Sequence, residues 1–275
     1  MEVCSRCGSL GVVEGERSLV GTVICLALAG LFLSRSVGLE AEASFTNLLA
    51  QAALAESRGD ILAAVEIYGR AQKSETDGAS HLCVLARRYC GLTYLTDSAA
   101  IQKDLVKQAL ACSLEAVTLD GNSADAHACL AVAYAKSCAF ADLKTELAYS
   151  RLFKLEAEKT IALDPKQDIA YYLLGRWNYA IANAGFFARA YVKLIYGGLP
   201  KASYQDAIAD FHKAIALAPN RIIHHAGLAM ACEAAGEKTL ALAELSRCQG
   251  MKAAGPEDEE ARRDALKQLS RLSQE

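Results

Sequence analysis

Residues 204–220 read YQDAIADFHKAIALAPN. Ala207, Phe211 and Ala214 lie four and then three residues apart, and Pro219 closes the run. That spacing puts the three side chains on one face of a helix. Two small residues flanking a phenylalanine leave two hollows and one ridge, which lets a second helix approach closely. The same face recurs in looser form elsewhere. Ala64, Tyr68 and Ala71 follow the turn Gly59-Asp60, and Ala109, Ser113 and Ala116 precede Gly121. Phe153, Ala157 and Thr160 precede Pro165, and Ala241, Leu245 and Cys248 follow the turn Gly236-Glu237.

A partner helix precedes each of the middle runs: LARRY ends at Tyr89, LAVAY at Tyr134, and LLGRWNY carries Leu174 and Gly175. Together the halves match the tetratricopeptide pattern W-x2-L-G-x2-Y, A-x3-F, P. The expected fold is all-α. It is a tetratricopeptide-like helical solenoid of units at about 45–77, 79–121, 123–165, 168–219 and 221–252. Each unit buries its apolar face only against its neighbours. With only four prolines in 275 residues, 53% of them hydrophobic, the composition permits long helices and a continuous core.

The middle units are elongated. Steps between Ala71, Ala116, Thr160, Ala214 and Cys248 are 45, 44, 54 and 34 residues, and only the last is standard. The largest excess falls between Gly175 and Ala207, an insert between the two helices of the fourth unit. Past Gly255-Pro256, residues 257–273 begin acidic and turn basic, the charge order that suits a helix dipole. Ala261, Ala265, Leu266, Leu269 and Leu272 give this segment an apolar stripe, so it is expected to cap the open end of the solenoid.

Residues 1–43 read as an N-terminal leader or membrane anchor. Its run 18–34 is uncharged, and as a straight helix would span about 26 Å, the short edge of a membrane crossing. A membrane anchor and a cleaved targeting leader ending near Ala41-Glu42-Ala43 both fit, and a buried helix of the domain is the third reading, although the run shows no amphipathic pattern. Seven cysteines outside the leader are scattered among apolar positions, as reduced cysteines acting as small hydrophobes would be. That favours a reducing compartment. The net charge of −3 and the absence of a long basic run exclude nucleic acid as the main partner. No Ser-His-Asp, Cys-His or phosphate-loop arrangement stands out, so neither an enzyme nor a cofactor is expected. His212, His224 and His225 lack metal-ligand spacing and read as helix-surface histidines, and Arg87-Arg88 reads as a solvated helix face.

In the fourth unit, Leu174-Gly175-Arg176-Trp177, then Arg189, then Leu199-Pro200 and Ala202-Ser203-Tyr204 resemble, in order and spacing, the regulator of microtubule dynamics family. The likeness covers roughly Ser44 to Leu272. It implies a non-enzymatic scaffold associated with microtubules or the spindle. It also implies organelle membranes such as the mitochondrial outer membrane or endoplasmic reticulum, and phospholipid handled in the repeat domain. Tubulin, another protein, or a phospholipid is the implied partner, with the leader at a membrane or, once cleaved, the chain inside an organelle. The chain shows no long coiled coil and no acidic phenylalanine-containing motif, which weakens a tethering role. Within the insert, Phe186, Phe187 and Tyr191 alternate with Arg189 and Lys193, next to Arg176 and Trp177. These seven residues form the candidate binding set. They could line a groove for an anionic lipid, anchor a peptide, or simply pack over the concave face.

Overall fold

The computed structural model describes residues 44–73, 78–185, 189–190, 192–193, 198 and 200–274. The leader, with the run 18–34, lies outside the described residues. Among those described, no helix is long and apolar enough to cross a membrane.

The chain is an all-α solenoid of paired helices with a terminal helix. In chain order the helices are α1 (44–57), α2 (Ile61–Gln72), α3 (Ala79–Leu92), α4 (Ala99–Leu119), α5 (Ala124–Ser137) and α6 (Leu143–Leu163). They continue with α7 (Asp168–Ala182), α8 (Tyr204–Leu217), α9 (Ile222–Ala234), α10 (Lys238–Gly250) and α11 (Pro256–Leu272). Short 3-10 turns, Thr93–Leu95 and Cys138–Phe140, extend α3 and α5.

Helix starts are set locally. Asp60, Ser98, Ser123 and Asp142 each accept a backbone N–H from the first turn of the helix that follows. Ser203 and Asp206 form a reciprocal capping box at α8. The tight turns before α2 and α10 pass through Gly59 and Gly236 at φ 75° and 82°, a backbone region that glycine enters without a Cβ penalty. The elongation sits in the outer helices of the second and third pairs. α4 and α6 have 21 residues each, against 12 in α2 and 13 in α10.

Odd-numbered helices α3, α5, α7 and α9 pack side by side as an inner layer, and α4, α6, α8 and α10 pack outside them. The small faces of the outer helices are what bring the layers together. Ala64, Ala109, Ala116, Ala157, Ala207 and Ala214 are all fully buried. Phe211 of α8 shows the geometry most sharply. Its ring is fully buried between Gly175 of α7 and Gly227 of α9. A Cβ at Gly227 would lie 2.5 Å from that ring, and one at Gly175 would lie 2.9 Å away. Trp177 is buried in the central core with Phe153, Ala157, Leu173 and Ile181.

The terminal helix does more than the expected capping. α11 packs on α9 and α10, and its start reaches back to α3 and the Thr93–Leu95 turn. Pro256 faces Gly91 there. Ala265 and Leu272 of its apolar stripe are buried, whereas Leu266 remains exposed. The solenoid therefore curls far enough for its terminal helix, α11, to meet the second pair.

Arg221 holds that junction. Its guanidinium lies 3.0 Å from Glu257, 3.7 Å from Asp258 and 3.9 Å from Asp168. Asp258 is fully buried and also accepts the N–H groups of Ile223 and Ala254. At the far end of α11, Arg271 and Gln268 both donate to Glu233 of α9.

The histidines require a correction. His224 and His225 are fully buried rather than on the helix surface, and only His212 is exposed. His224 Nε2 lies 2.7 Å from Asp168. The His225 ring bridges the Glu244 carboxylate and the Pro219 carbonyl, just as His127 bridges Glu156 and the Gly121 carbonyl two pairs earlier. A buried imidazole needs such partners. They come from the end of the preceding outer helix and from the outer helix of its own pair, so they are invisible in the local pattern.

Candidate functional site

The curled inner layer encloses a cavity of about 660 Å³. Its walls come from α3, α5, α7 and α9, with Glu146, Ser150 and Phe153 of the outer helix α6, and Glu257 at the start of α11 closes one side. Volume and concavity are those of a ligand site.

Two cations project into it from neighbouring helices. Lys136, on the last turn of α5, donates from Nζ to the Thr93 hydroxyl at 2.9 Å and sits 3.8 Å from the Tyr94 ring centroid. Arg176, in the middle of α7, donates from Nη1 to the Tyr172 hydroxyl at 3.1 Å. Tyr172 is one turn earlier on the same face. Neither cation forms an ion pair among the described residues, although the cavity margin has two paired arginines: Arg221 at the junction, and Arg87, 2.6 Å from Asp125.

The electrostatics follow from this placement. Burial pulls the Lys136 ammonium below its ordinary range, Cys90 and Glu257 partly offset this, and repulsion from Arg176 adds to it. The Tyr172 phenol raises the Arg176 guanidinium above its own. Arg176 stays accessible to solvent while tyrosines surround it. Val132, Phe153, Leu173 and Ile223 supply apolar wall between these groups. The arrangement provides two charged donors and aromatic faces to an anion that can displace water from them.

The residues expected from the sequence separate into distinct roles. Arg176 and Trp177 both line the cavity. Trp177 is 3% exposed, its indole N–H has no acceptor among the described residues, and Lys154 Nζ lies 5.2 Å from its ring. Arg189 is spent on the end of α7. Its guanidinium donates to the carbonyls of Ile181, Ala182 and Ala184 at 2.8–2.9 Å, satisfying groups that a helix terminus leaves open. Lys193 is exposed. Phe186, Phe187 and Tyr191 lie outside the described residues. Arg87 is not simply solvated, because it pairs with Asp125 and touches Cys129.

Sequence reasoning missed Lys136, Tyr94 and Tyr172. A signal was available in principle, since Tyr94 and Lys136 sit at or beside the end of an inner-helix half such as LAVAYAK and Tyr172 directly precedes LLGRWNY. It would have required knowing which side of each inner helix faces the axis of the curl.

The family model described as Regulator of microtubule dynamics protein 1-3 matches residues 48–273. Regulator of microtubule dynamics protein 1 of Mus musculus is 26% identical over 227 residues, 78% of this chain and 74% of that protein. The Bos taurus protein of the same name is 28% identical over 150 residues, 54% of this chain and 47% of its own length. Among solved structures, a thermophilic TPR protein of Thermus thermophilus superposes with a TM-score of 0.55 at 18% identity. It covers 81% of this chain and 98% of its own, which shows the tetratricopeptide fold. Family match and fold together describe a non-enzymatic, protein-binding scaffold.

Proposed function

The chain belongs to the regulator of microtubule dynamics family, and on that premise we propose that its concave cavity receives an acidic segment of a protein partner. The observation that carries this is the pair Lys136 and Arg176, two cations in the cavity that form no ion pair among the described residues. An incoming carboxylate would restore to Lys136 the stabilisation that burial removes. It would also give Arg176 a charge-assisted partner. The family name puts microtubules first among partners, and the acidic tails of tubulin have the required chemistry. Lys193 could add charge at the rim, and Phe186, Phe187 and Tyr191 enter the proposal from the sequence alone.

The test is co-sedimentation with microtubules before and after proteolytic removal of the acidic tails. Pelleting is expected with intact tails and not without them. It should weaken as salt rises, because the Debye length falls from about 10 Å at 0.1 M to about 3 Å at 1 M. Equal pelleting with tailless microtubules, or none with either, would sink the tubulin assignment.

A second reading is favoured by the apolar walls at Val132, Phe153, Leu173 and Ile223. A phospholipid would bury a tail there and place its phosphate at Lys136 and Arg176. Lipid that co-purifies with the chain and survives high salt would support it.

The leader completes the proposal. Residues 18–34 would hold the scaffold at an organelle membrane, so that the cavity links that membrane to its partner. Full-length protein is expected to stay in the membrane pellet after carbonate extraction. Release into the supernatant would rule out an integral anchor, and a mature N-terminus near Ser44 would favour a cleaved leader.

A further inference from the structure

Two facing inner helices carry a matched quartet. α3 contributes Cys83 and Arg87, and α5 contributes Asp125 and Cys129, each pair one helical turn apart. The two sulfurs and an Asp125 carboxylate oxygen all lie within 4.8 Å of one another. Cys129 Sγ is 3.6 Å from the Cys83 carbonyl oxygen. Arg87 Nη1 bridges the group, 2.6 Å from Asp125 Oδ1 and 3.4 Å from Cys129 Sγ. Both cysteines are buried, but Cys129, Arg87 and Asp125 line the cavity, so the quartet is approached from there.

Two chemistries suit two thiols and a carboxylate. A thiophilic metal ion would need all three donors unoccupied. Arg87 already lies against the carboxylate and one sulfur, so a guanidinium holds the place of the cation. Oxidation, by contrast, needs a thiolate beside a second thiol and a positive group, and the quartet supplies all three. We infer that Cys83 and Cys129 are a reversible redox pair that closes to a disulfide between α3 and α5 when a small hydroperoxide enters the cavity.

The step balances with hydrogen peroxide as oxidant. The hydrogen bond from the Cys129 thiol holds the Cys83 thiol below its ordinary range against burial and Asp125, with Arg87 assisting, while the same hydrogen bond and burial push the Cys129 thiol well above its own, so the pair's first proton leaves from Cys83. Moving the remaining proton onto Cys83 leaves the charge on Cys129, at the cavity wall and beside Arg87. That sulfur attacks one peroxide oxygen, the O–O bond breaks, and the departing hydroxide takes a proton to become water. Cys129 is now a sulfenic acid. The Cys83 sulfur then attacks it, the S–S bond forms, the S–O bond breaks, and the Cys83 proton leaves with the hydroxide as a second water. The other buried cysteines have no such arrangement. Among the described residues only Cys83 and Cys129 share a cluster with a carboxylate, and only Cys129 has a guanidinium against its sulfur. The inference is independent of what the cavity binds.

The test treats the full chain with hydrogen peroxide, alkylates the remaining thiols after unfolding, and maps the digest by mass spectrometry. One peptide pair joined through Cys83 and Cys129 is expected, lighter than its two parts by two hydrogen atoms and separated again by dithiothreitol. Helical circular dichroism should be unchanged throughout. Arg87→Ala is expected to slow the reaction about tenfold, the effect of one pKa unit on the thiolate fraction. Recovery of Cys83 and Cys129 as separate alkylated residues would overturn the inference. So would sulfonic acid on Cys129 without a cross-link, or a cross-link that appears only as the helical signal is lost. If Arg87→Ala does not fold, the wild-type map decides alone. If it folds and reacts as fast as wild type, the part given to the guanidinium is wrong.

Discussion

Phe211→Ala is expected to lower the unfolding free energy by about 3–5 kcal/mol, the range for removing a buried aromatic ring. The ring is fully buried, and α7 and α9 meet it with glycines that have no side chain to move into the gap, with the Tyr172 ring 5.9 Å away, centroid to centroid. The converse change should also hurt. Gly227→Ala improves helix propensity by about 1 kcal/mol, but its Cβ would lie 2.5 Å from the Phe211 ring. Overpacking of this kind costs about 1–3 kcal/mol, so a net loss is expected. Phe211→Leu in the Gly227→Ala background should recover part of it. Denaturant unfolding of wild type, Gly227→Ala, Phe211→Leu and the double variant measures the coupling. Strict additivity would mean that Phe211 and Gly227 do not compete for the same space.

Arg221→Ala is the second large effect. It leaves Asp258 fully buried, with Glu257 and Asp168 close by and without their shared cation. Breaking a buried ion pair by deleting one partner costs about 3–5 kcal/mol; the partial exposure of Arg221 puts the expectation at the lower end. The start of α11 should release from α3, visible as a larger radius of gyration in small-angle scattering. Arg221→Lys should recover only part of the effect, because an ammonium cannot span three carboxylates as a guanidinium does. Acid should act in the same direction. Burial opposes ionisation of Asp168, yet the hydrogen bond and charge of His224, with Arg221, hold its carboxyl below the usual range. Glu233 is held low against its burial by Arg271 and Gln268. A depressed folded-state value contributes stability above the ordinary carboxylate range that is lost as pH falls through the folded value. Opening is therefore expected below about pH 4. A radius of gyration indifferent to both Arg221→Ala and acid would remove Arg221 from the junction.

The contrast between what was legible and what was not follows from distance along the chain. Ala207, Phe211 and Ala214 could be read because a helix face is written within eight residues, and the same holds for the turns at Gly59 and Gly236. The insert between α7 and α8 was legible as an excess over a regular period. The cavity was not, because Tyr94, Lys136 and Tyr172 come from three units, and only the accumulated rotation between units brings them to one axis. Arg189 illustrates the opposite error. A cation among aromatics reads as a ligand contact, whereas the carbonyl groups that occupy it belong to the end of α7. His224 and His225 were misread for the same reason as the cavity. Their carboxylate partners, Asp168 and Glu244, lie on other helices.

The return of α11 to α3 changes what kind of object this solenoid is. An open array gains stability pair by pair and frays from its ends, with each unit answering only to its neighbours. Here the last helix is anchored on the second pair, so unzipping from the C-terminal end must first give up a contact made across most of the chain. That contact raises the contact order above that of a linear repeat protein. It carries a loop-closure cost that only the nearly complete array can offset. Folding should therefore end with a late closing step, and the units between α3 and α11 should unfold together rather than one after another.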